Sequence, residues 1–157
     1  MCSSDLDVID ALDCALQRDP DVESITVAGN GEPTLHPGFA PIAEGIFKVR
    51  QRRAPGARLA LLSSRMGSIG TRTSAAGWLY RASKAAANSV LKDAATALQG
   101  RATCVAFHPG WVQTDMGGPG ATLPVERSVA DMRRVIAGLV PADNGRFLDH
   151  DGSAIDW

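Results

Sequence analysis

The chain is poor in aromatic residues and in cysteine. Only 5% of its 157 residues are aromatic, one of them the sole tyrosine, and Cys2, Cys14 and Cys104 form an odd, widely spaced set of three. Such a set does not fit a disulfide framework or a close metal-binding cluster, so a reducing cytosol is the expected compartment. An excess of one charge is missing as well: 16 Lys and Arg stand against 17 Asp and Glu, for a net charge of -1. No global field draws the chain to nucleic acid or to an anionic membrane, and neither is an expected partner. No segment approaches ~18 uninterrupted apolar residues, which excludes a helical bilayer span. The opening MCSSDLD puts Asp5 and Asp7 where an export signal carries Lys or Arg ahead of an apolar stretch, which predicts a cytoplasmic protein.

What is present is an ordinary globular composition, 45% apolar and 21% charged, at about the length of one domain. Leu6, Ile9, Leu12 and Leu16 recur at helical spacing after Asp5, predicting a helix over about 5–18. Residues 24–28 are β-branched and stop at Gly29, as a buried parallel strand does. Phe39, Ile42, Ile46 and Val49 mark a second helix that ends in Arg50, Arg52 and Arg53. Leu59–Leu62 reads as a second buried strand, followed by a polar loop over 63–77. Leu79, Ala82, Ala86, Val90, Ala94 and Ala97 then form one small apolar face of a helix over 79–98, suited to close packing on a sheet or another helix. Residues 103–107 predict a third strand. A helix from Val125 to Leu139 follows, with Thr122 as its expected cap and Pro124 in its first turn, and a last strand covers 145–149. Strands alternating with helices predict an α/β fold: three layers, a mostly parallel sheet of about four strands, partly Rossmann-like, with helices on both faces. In such sheets the chemistry gathers beyond the carboxyl ends of the strands.

The strongest chemical signal is Tyr80-Arg81-Ala82-Ser83-Lys84. At i and i+4 on a helix the phenol and the ammonium share one face and reach each other. A phenol is ordinarily a poor acid–base catalyst at neutral pH, and a nearby cation favours its ionised form. A serine hydroxyl at the end of the preceding strand can hydrogen-bond a substrate carbonyl, and Ser63 and Ser64 stand there.

With these residues goes a set of segments in a fixed order: LLSSRMGSIG, YRASKAAANS, HPGWVQTDMGG and GRFLDHDGSAIDW. Residues 61–157 resemble the C-terminal half of a short-chain dehydrogenase/reductase, nearest to the C-factor-like members of that family. The resemblance implies hydride transfer between NAD or NADP and a small-molecule carbonyl or alcohol. It implies Ser64 as the carbonyl-orienting serine, Tyr80 as the acid–base, and Lys84 as the residue that tunes the tyrosine and holds the nicotinamide ribose. Pro109, Gly110 and Val112 resemble the loop beside the nicotinamide amide, and Thr114 the hydroxyl near the cofactor phosphates. Helix 79–98 resembles a subunit interface, implying a homodimer.

The first sixty residues depart from that pattern. The family's T-G-x-x-x-G-x-G turn and N-A-G segment are absent, and Gly29-Asn30-Gly31 runs into Glu32 and Pro33, so the G-x-G-x-x-G fingerprint fails. No asparagine ahead of the serine strand completes the family's proton relay. Instead, residues 20–64 resemble an internal fragment of a radical S-adenosylmethionine enzyme, with Gly31, Glu32 and Pro33 in its G-x-G-E-P-T-L-H-P segment. The three cysteines cannot supply that family's cluster-binding C-x-x-x-C-x-x-C run, so radical chemistry is not expected. The expected organisation is one α/β domain of chimeric origin, with a segment 1–62 of one ancestry and a catalytic half 63–157 of another. The chain is then a truncated oxidoreductase with little or no turnover; the alternatives are a radical-enzyme fragment and a non-catalytic dimerising protein. His36, His108 and His150 are scattered, and Trp78 and Trp111 flank the tyrosine helix and the Pro-Gly loop. The chimera reading predicts that no single genomic locus encodes all 157 residues; sequencing one uninterrupted locus defeats it.

Overall fold

A computed structural model describes residues 57–157. The helices expected over 5–18 and 39–53 and the strand over 24–28 lie outside these residues. Residues 58–157 form a unit with its own core, and the central strand of that unit explains the rest. Residues Ala102–His108, ATCVAFH, form strand β2 once Ala57–Leu62 is named β1 and Arg146–Asp149 β3. Cys104, Val105, Ala106 and Phe107 have no exposed surface, and only a strand covered on both faces tolerates such a continuous apolar run. The sheet order is β1-β2-β3, an open, mostly parallel, Rossmann-like arrangement. β2 and β3 are parallel, with Val105 opposite Arg146 and His108 opposite Asp149.

Two helices cover this strand. Helix α1 spans Trp78–Ala97 and α2 spans Val125–Gly138. On one side Val105, Phe107, Leu139 and Leu148 form a cluster against Met132, Val135 and Ile136 of α2. Successive strand side chains alternate between faces, so Cys104 and Ala106 point the other way, towards α1. There Asn144 bridges the layers: its Nδ2 donates to the Ala95 carbonyl at 2.8 Å and its Oδ1 accepts from the Cys104 N–H at 2.8 Å. Phe147 stacks on Trp157 with ring centroids 5.3 Å apart, and the Lys92 ammonium lies 5.1 Å from the Trp157 ring. Burial pushes the Cys104 thiol up to about 11, as expected for a thiol surrounded by apolar groups.

Three expectations need correction. The face of α1 turned inward is not the small-residue stripe beginning at Leu79. The buried residues are Ala87, Asn88, Leu91 and Ala95, whereas Leu79 and Val90 are exposed. Leu91 is the largest apolar side chain along the middle of the helix, and Ala87 and Ala95 one turn to either side let it approach the sheet closely. β1 is not a buried strand: its residues alternate, with Arg58, Ala60 and Leu62 exposed, because within the described residues it lies at an edge of the sheet. Thr122 does not cap α2. Pro124 occupies the cap position in extended conformation without a side-chain hydrogen bond, so the helix starts at Val125. A 3-10 turn, Arg65–Gly67, falls within the loop expected over 63–77, and a second, Pro141–Asp143, joins α2 to β3.

The inward face of α1 can be tested with two leucines on one helix. Leu91→Ala is expected to lower the unfolding free energy by about 2–5 kcal/mol, and Leu79→Ala by less than about 0.5 kcal/mol. Urea unfolding measures both, and equal losses would place the sheet-facing stripe elsewhere.

Candidate active site

Lys84 and Tyr80 continue the line of the buried stripe of α1 one and two turns towards its N-terminus, where it opens to solvent. Positions 80, 84, 87, 88, 91 and 95 follow the spacing i, i+4, i+7, i+8, i+11 and i+15, so the packing that seats Leu91 also aims the phenol and the ammonium. The Lys84 ammonium stands 5.7 Å from the centre of the Tyr80 ring, and the phenol remains partly open to solvent.

Ser64 ends the run of β1. Its extended backbone caps the Arg65–Gly67 turn, and its Oγ accepts from the Met66 N–H at 3.2 Å. Accepting that bond leaves the serine O–H free to donate. Two clasps hold this turn on α1. The Ser63 hydroxyl donates to Asn88 Oδ1 at 2.6 Å, with both residues buried. Gly67 presses on the helix backbone at Lys84: a Cβ added there would lie 2.8 Å from the Lys84 carbonyl carbon, so only glycine allows the approach. The Ser63 N–H also donates to the Phe107 carbonyl at 2.7 Å, which sets the end of β1 level with the end of β2.

The loop after β2 carries the other predicted site residues. The Pro109 carbonyl accepts from the buried Ser128 hydroxyl at 2.6 Å. Gly110 adopts φ +87, a conformation that favours glycine, and a Cβ there would meet Leu123 at 2.5 Å and His150 at 3.0 Å. Val112 bridges Leu123. The Thr114 hydroxyl is engaged in its own loop: it donates to the Val112 carbonyl at 3.4 Å and accepts from the Gly117 N–H at 3.2 Å. Gly67 thus sets the turn that Ser64 caps against α1 at Lys84, and Pro109, Gly110 and Val112 follow the end of the neighbouring strand. The sequence carries no Gly-rich turn of the kind that holds a pyrophosphate at a helix N-terminus.

Sequence reasoning missed Asn88 and the polar group at the ends of β2 and β3. Asn88 is four residues beyond Lys84, and the same helical spacing that singled out the Tyr–Lys pair points to it. Arg65 and Asp149 form an ion pair that ties the serine turn to the end of β3. His150 Nδ1 lies 3.3 Å from Asp131 Oδ2, and Asp131 is itself paired with Arg127 at 2.6 Å and Arg134 at 3.1 Å. The hydrogen bond from Arg127, and then that from Arg134, hold the Asp131 carboxyl below the usual carboxylate range. His108 is lowered from 6.5, first by burial and then by the charges of Arg65 and His150, against the raising effect of Asp149.

No family model matches the chain. It is 44% identical over 126 residues to the C-signal of Myxococcus xanthus, covering 76% of this chain and 76% of that protein. Residues 61–157 alone make up a smaller share than that, so the likeness extends beyond the segment that bears the motifs. Among solved structures it superposes on the carbonyl reductase Sniffer of D. melanogaster with a TM-score of 0.75 at 24% identity, over 96% of this chain and 74% of that one, a likeness of fold. A carbonyl reductase from Pseudomonas aeruginosa PAO1 in complex with NADP gives a TM-score of 0.63 at 32% identity, over 75% of this chain and 50% of that one. The chain spans about half or less of the length of several other curated relatives. The open, mostly parallel sheet with a helix on each face is a Rossmann-like fold. The chain belongs to the short-chain dehydrogenase/reductase family. The kinship of residues 20–64 with radical S-adenosylmethionine enzymes finds no support in these comparisons.

The lowered His108 gives a pH dependence with a definite sign. An unfolded chain takes up this proton near 6.5, while the folded chain does so only at lower pH, so stability is complete above 6.5 and is lost as pH falls below it. The melting temperature of the parent is expected to drop from about pH 7 to pH 5.5, before the depressed carboxyls of Asp131, Asp143 and Asp151 titrate. His108→Phe is expected to flatten that drop in a calorimetric series, and parallel slopes would show that His108 is not its source.

Proposed function

We propose that the chain is an oxidoreductase that moves a hydride between NAD(P)(H) and a small-molecule carbonyl or alcohol, with Ser64, Tyr80 and Lys84 as its working side chains. The observation that carries this reading is the shared stripe of α1: the Lys84 ammonium 5.7 Å from the phenol ring, against the turn that Ser64 caps. The Ser64 O–H donates to the substrate carbonyl oxygen and stabilises the negative charge that develops on it. Tyr80 delivers the proton to that oxygen, and as the chain's sole tyrosine it has no phenolic substitute. Lys84 holds the nicotinamide ribose hydroxyls. Pro109, Gly110 and Val112 border the nicotinamide, with Gly110 leaving room beside Leu123 and His150, and Thr114 lies towards the phosphates. When bound, NAD(P)H supplies the hydride. The NADP complex of the Pseudomonas aeruginosa carbonyl reductase supports this cofactor class.

In this reading residues 63–157 are the catalytic half, and turnover is slow because the sequence has no Gly-rich turn to cradle the pyrophosphate. The exposed face of α1 through Leu79 and Val90 supports a homodimer.

The test is NADPH oxidation with a panel of aromatic and aliphatic carbonyls, together with NADPH titration. Tyr80→Phe is expected to lower kcat by about 10²–10⁴ with NADPH affinity unchanged. Ser64→Ala is expected to lower it by about 10²–10³. Lys84→Ala is expected to weaken NADPH binding as well. A parent chain that neither binds NADPH nor consumes it with any carbonyl would refute the proposal.

A further inference from the structure

A second feature of the unit lies beside the Tyr–Lys stripe. The loop 72–75 and the first turn of α1 border an open, shallow cleft of about 600 Å³ lined by Arg72, Thr73, Ser74, Ala75, Trp78 and Arg81, all but Arg81 exposed. That volume lies in the usual range for small-molecule sites, which are mostly apolar with a few placed polar groups. No carboxylate lines it among the described residues. Arg65, Arg127, Arg134 and Arg146 each pair with an aspartate. Arg72 and Arg81 form no ion pair among the described residues, so two uncompensated guanidinium groups share one cavity.

The cleft is also braced. The Arg81 Nε donates to the Ala76 carbonyl at 2.8 Å, which fixes the guanidinium by one edge and leaves its terminal nitrogens to donate elsewhere. The Thr71 N–H donates to Ser68 Oγ at 3.0 Å, the Gly70 N–H to the Trp157 carbonyl at 2.8 Å, and the Ala76 N–H to Ser74 Oγ at 3.1 Å. Trp78 keeps 76% of its surface open, a large apolar wall in need of cover. Planar guanidinium pairs bind carboxylates and phosphates with paired hydrogen bonds, and an indole face covers a flat apolar body.

We infer that this cleft holds the anionic end of the substrate: Arg72 and Arg81 take a carboxylate or phosphate, and Trp78 covers the ring or chain that carries it. Tyr80 does not line the cleft, but Arg81 follows Tyr80 directly on α1, about 1.5 Å along the axis and a little over a quarter-turn round it, so a ligand held by Arg81 lies beside the residue that bears the phenol. The substrate class is then a carbonyl compound bearing an acid group. The carbonyl part of this inference rests on the Ser64–Tyr80–Lys84 reading, whereas the anion-binding part stands on the cleft alone.

Isothermal titration of the intact chain with acetophenone, 4-acetylbenzoate and 4-acetylphenyl phosphate separates the possibilities, since the three share one ketone and differ in charge. At least one of the two anions is expected to bind about tenfold or more tighter than acetophenone, and which of them is tighter identifies the acid group as carboxylate or phosphate. Arg72→Gln and Arg81→Gln are each expected to remove about tenfold of that preference while leaving acetophenone unchanged. Raised salt is expected to weaken the anions selectively. Anions that bind no better than acetophenone, or a preference that survives both arginine changes, overturn the inference. Tyr80→Phe is expected to leave the anion titration intact. Failure of the catalytic reading therefore appears as a parent that binds the anion without turning over its ketone, and failure of the cleft as turnover without charge preference.

Discussion

The contact on which the rest depends is the close packing of α1 on β2. Ala87 and Ala95 keep the helix near the strand, Leu91 fills the space between them, and Asn144 ties the two layers by hydrogen bonds to Ala95 and Cys104. Because side chains three and four residues apart share a helix face, this packing sets the direction of Tyr80 and Lys84 further up the same stripe. The site has no separate scaffold: the core is what aims it.

The serine turn depends on that same helix through a different chemistry. Ser63 gives its hydroxyl to Asn88 and its N–H to Phe107, while Gly67 meets the backbone of Lys84. Polar bonds and a missing side chain thus lock the end of β1 to α1 and β2 together. From the opposite side the Arg65–Asp149 pair joins the turn to the end of β3, and Asp131 anchors His150 against Gly110. The buried Ser63–Asn88 bond favours one arrangement over nearby alternatives, because breaking it leaves a buried donor and acceptor unpaired, whereas Asn88 Nδ2, His108 Nδ1 and His150 Nδ1 are buried without a hydrogen-bond partner among the described residues. All three strand ends are held at one edge of the sheet, where ligands of open α/β sheets bind.

Much of this was readable in advance. Each strand and helix expected over 59–149 has a counterpart in the described residues, because strand runs such as Thr103–Phe107 and the periodicity of Val125–Leu139 are local signals. The Tyr–Lys pair was likewise visible as a spacing. The inward face of α1 was not: alanines surround this helix, so a count of apolar residues favours several stripes, and only the contact with β2 selects the one containing Leu91. Asn88 escaped notice because its role depends on Ser63, 25 residues away. The cap of α2 was misjudged because Pro124 suits the cap position as readily as the first turn.

The sequence by itself determined the order and kind of the described elements, the single phenol with an ammonium four residues beyond it, and the lack of a Gly-rich phosphate turn. These are properties of short stretches, where backbone preference and side-chain spacing act over a few residues. Tertiary structure alone decided that the buried stripe of α1 is the one whose spacing Tyr80 and Lys84 continue, that Gly67 lets the serine turn touch Lys84, and that Arg72 and Arg81 share one cleft with no carboxylate among the described lining residues. Those relations join residues that are distant along the chain or on different elements, and they are set by how volumes and charges fit once the helix has packed.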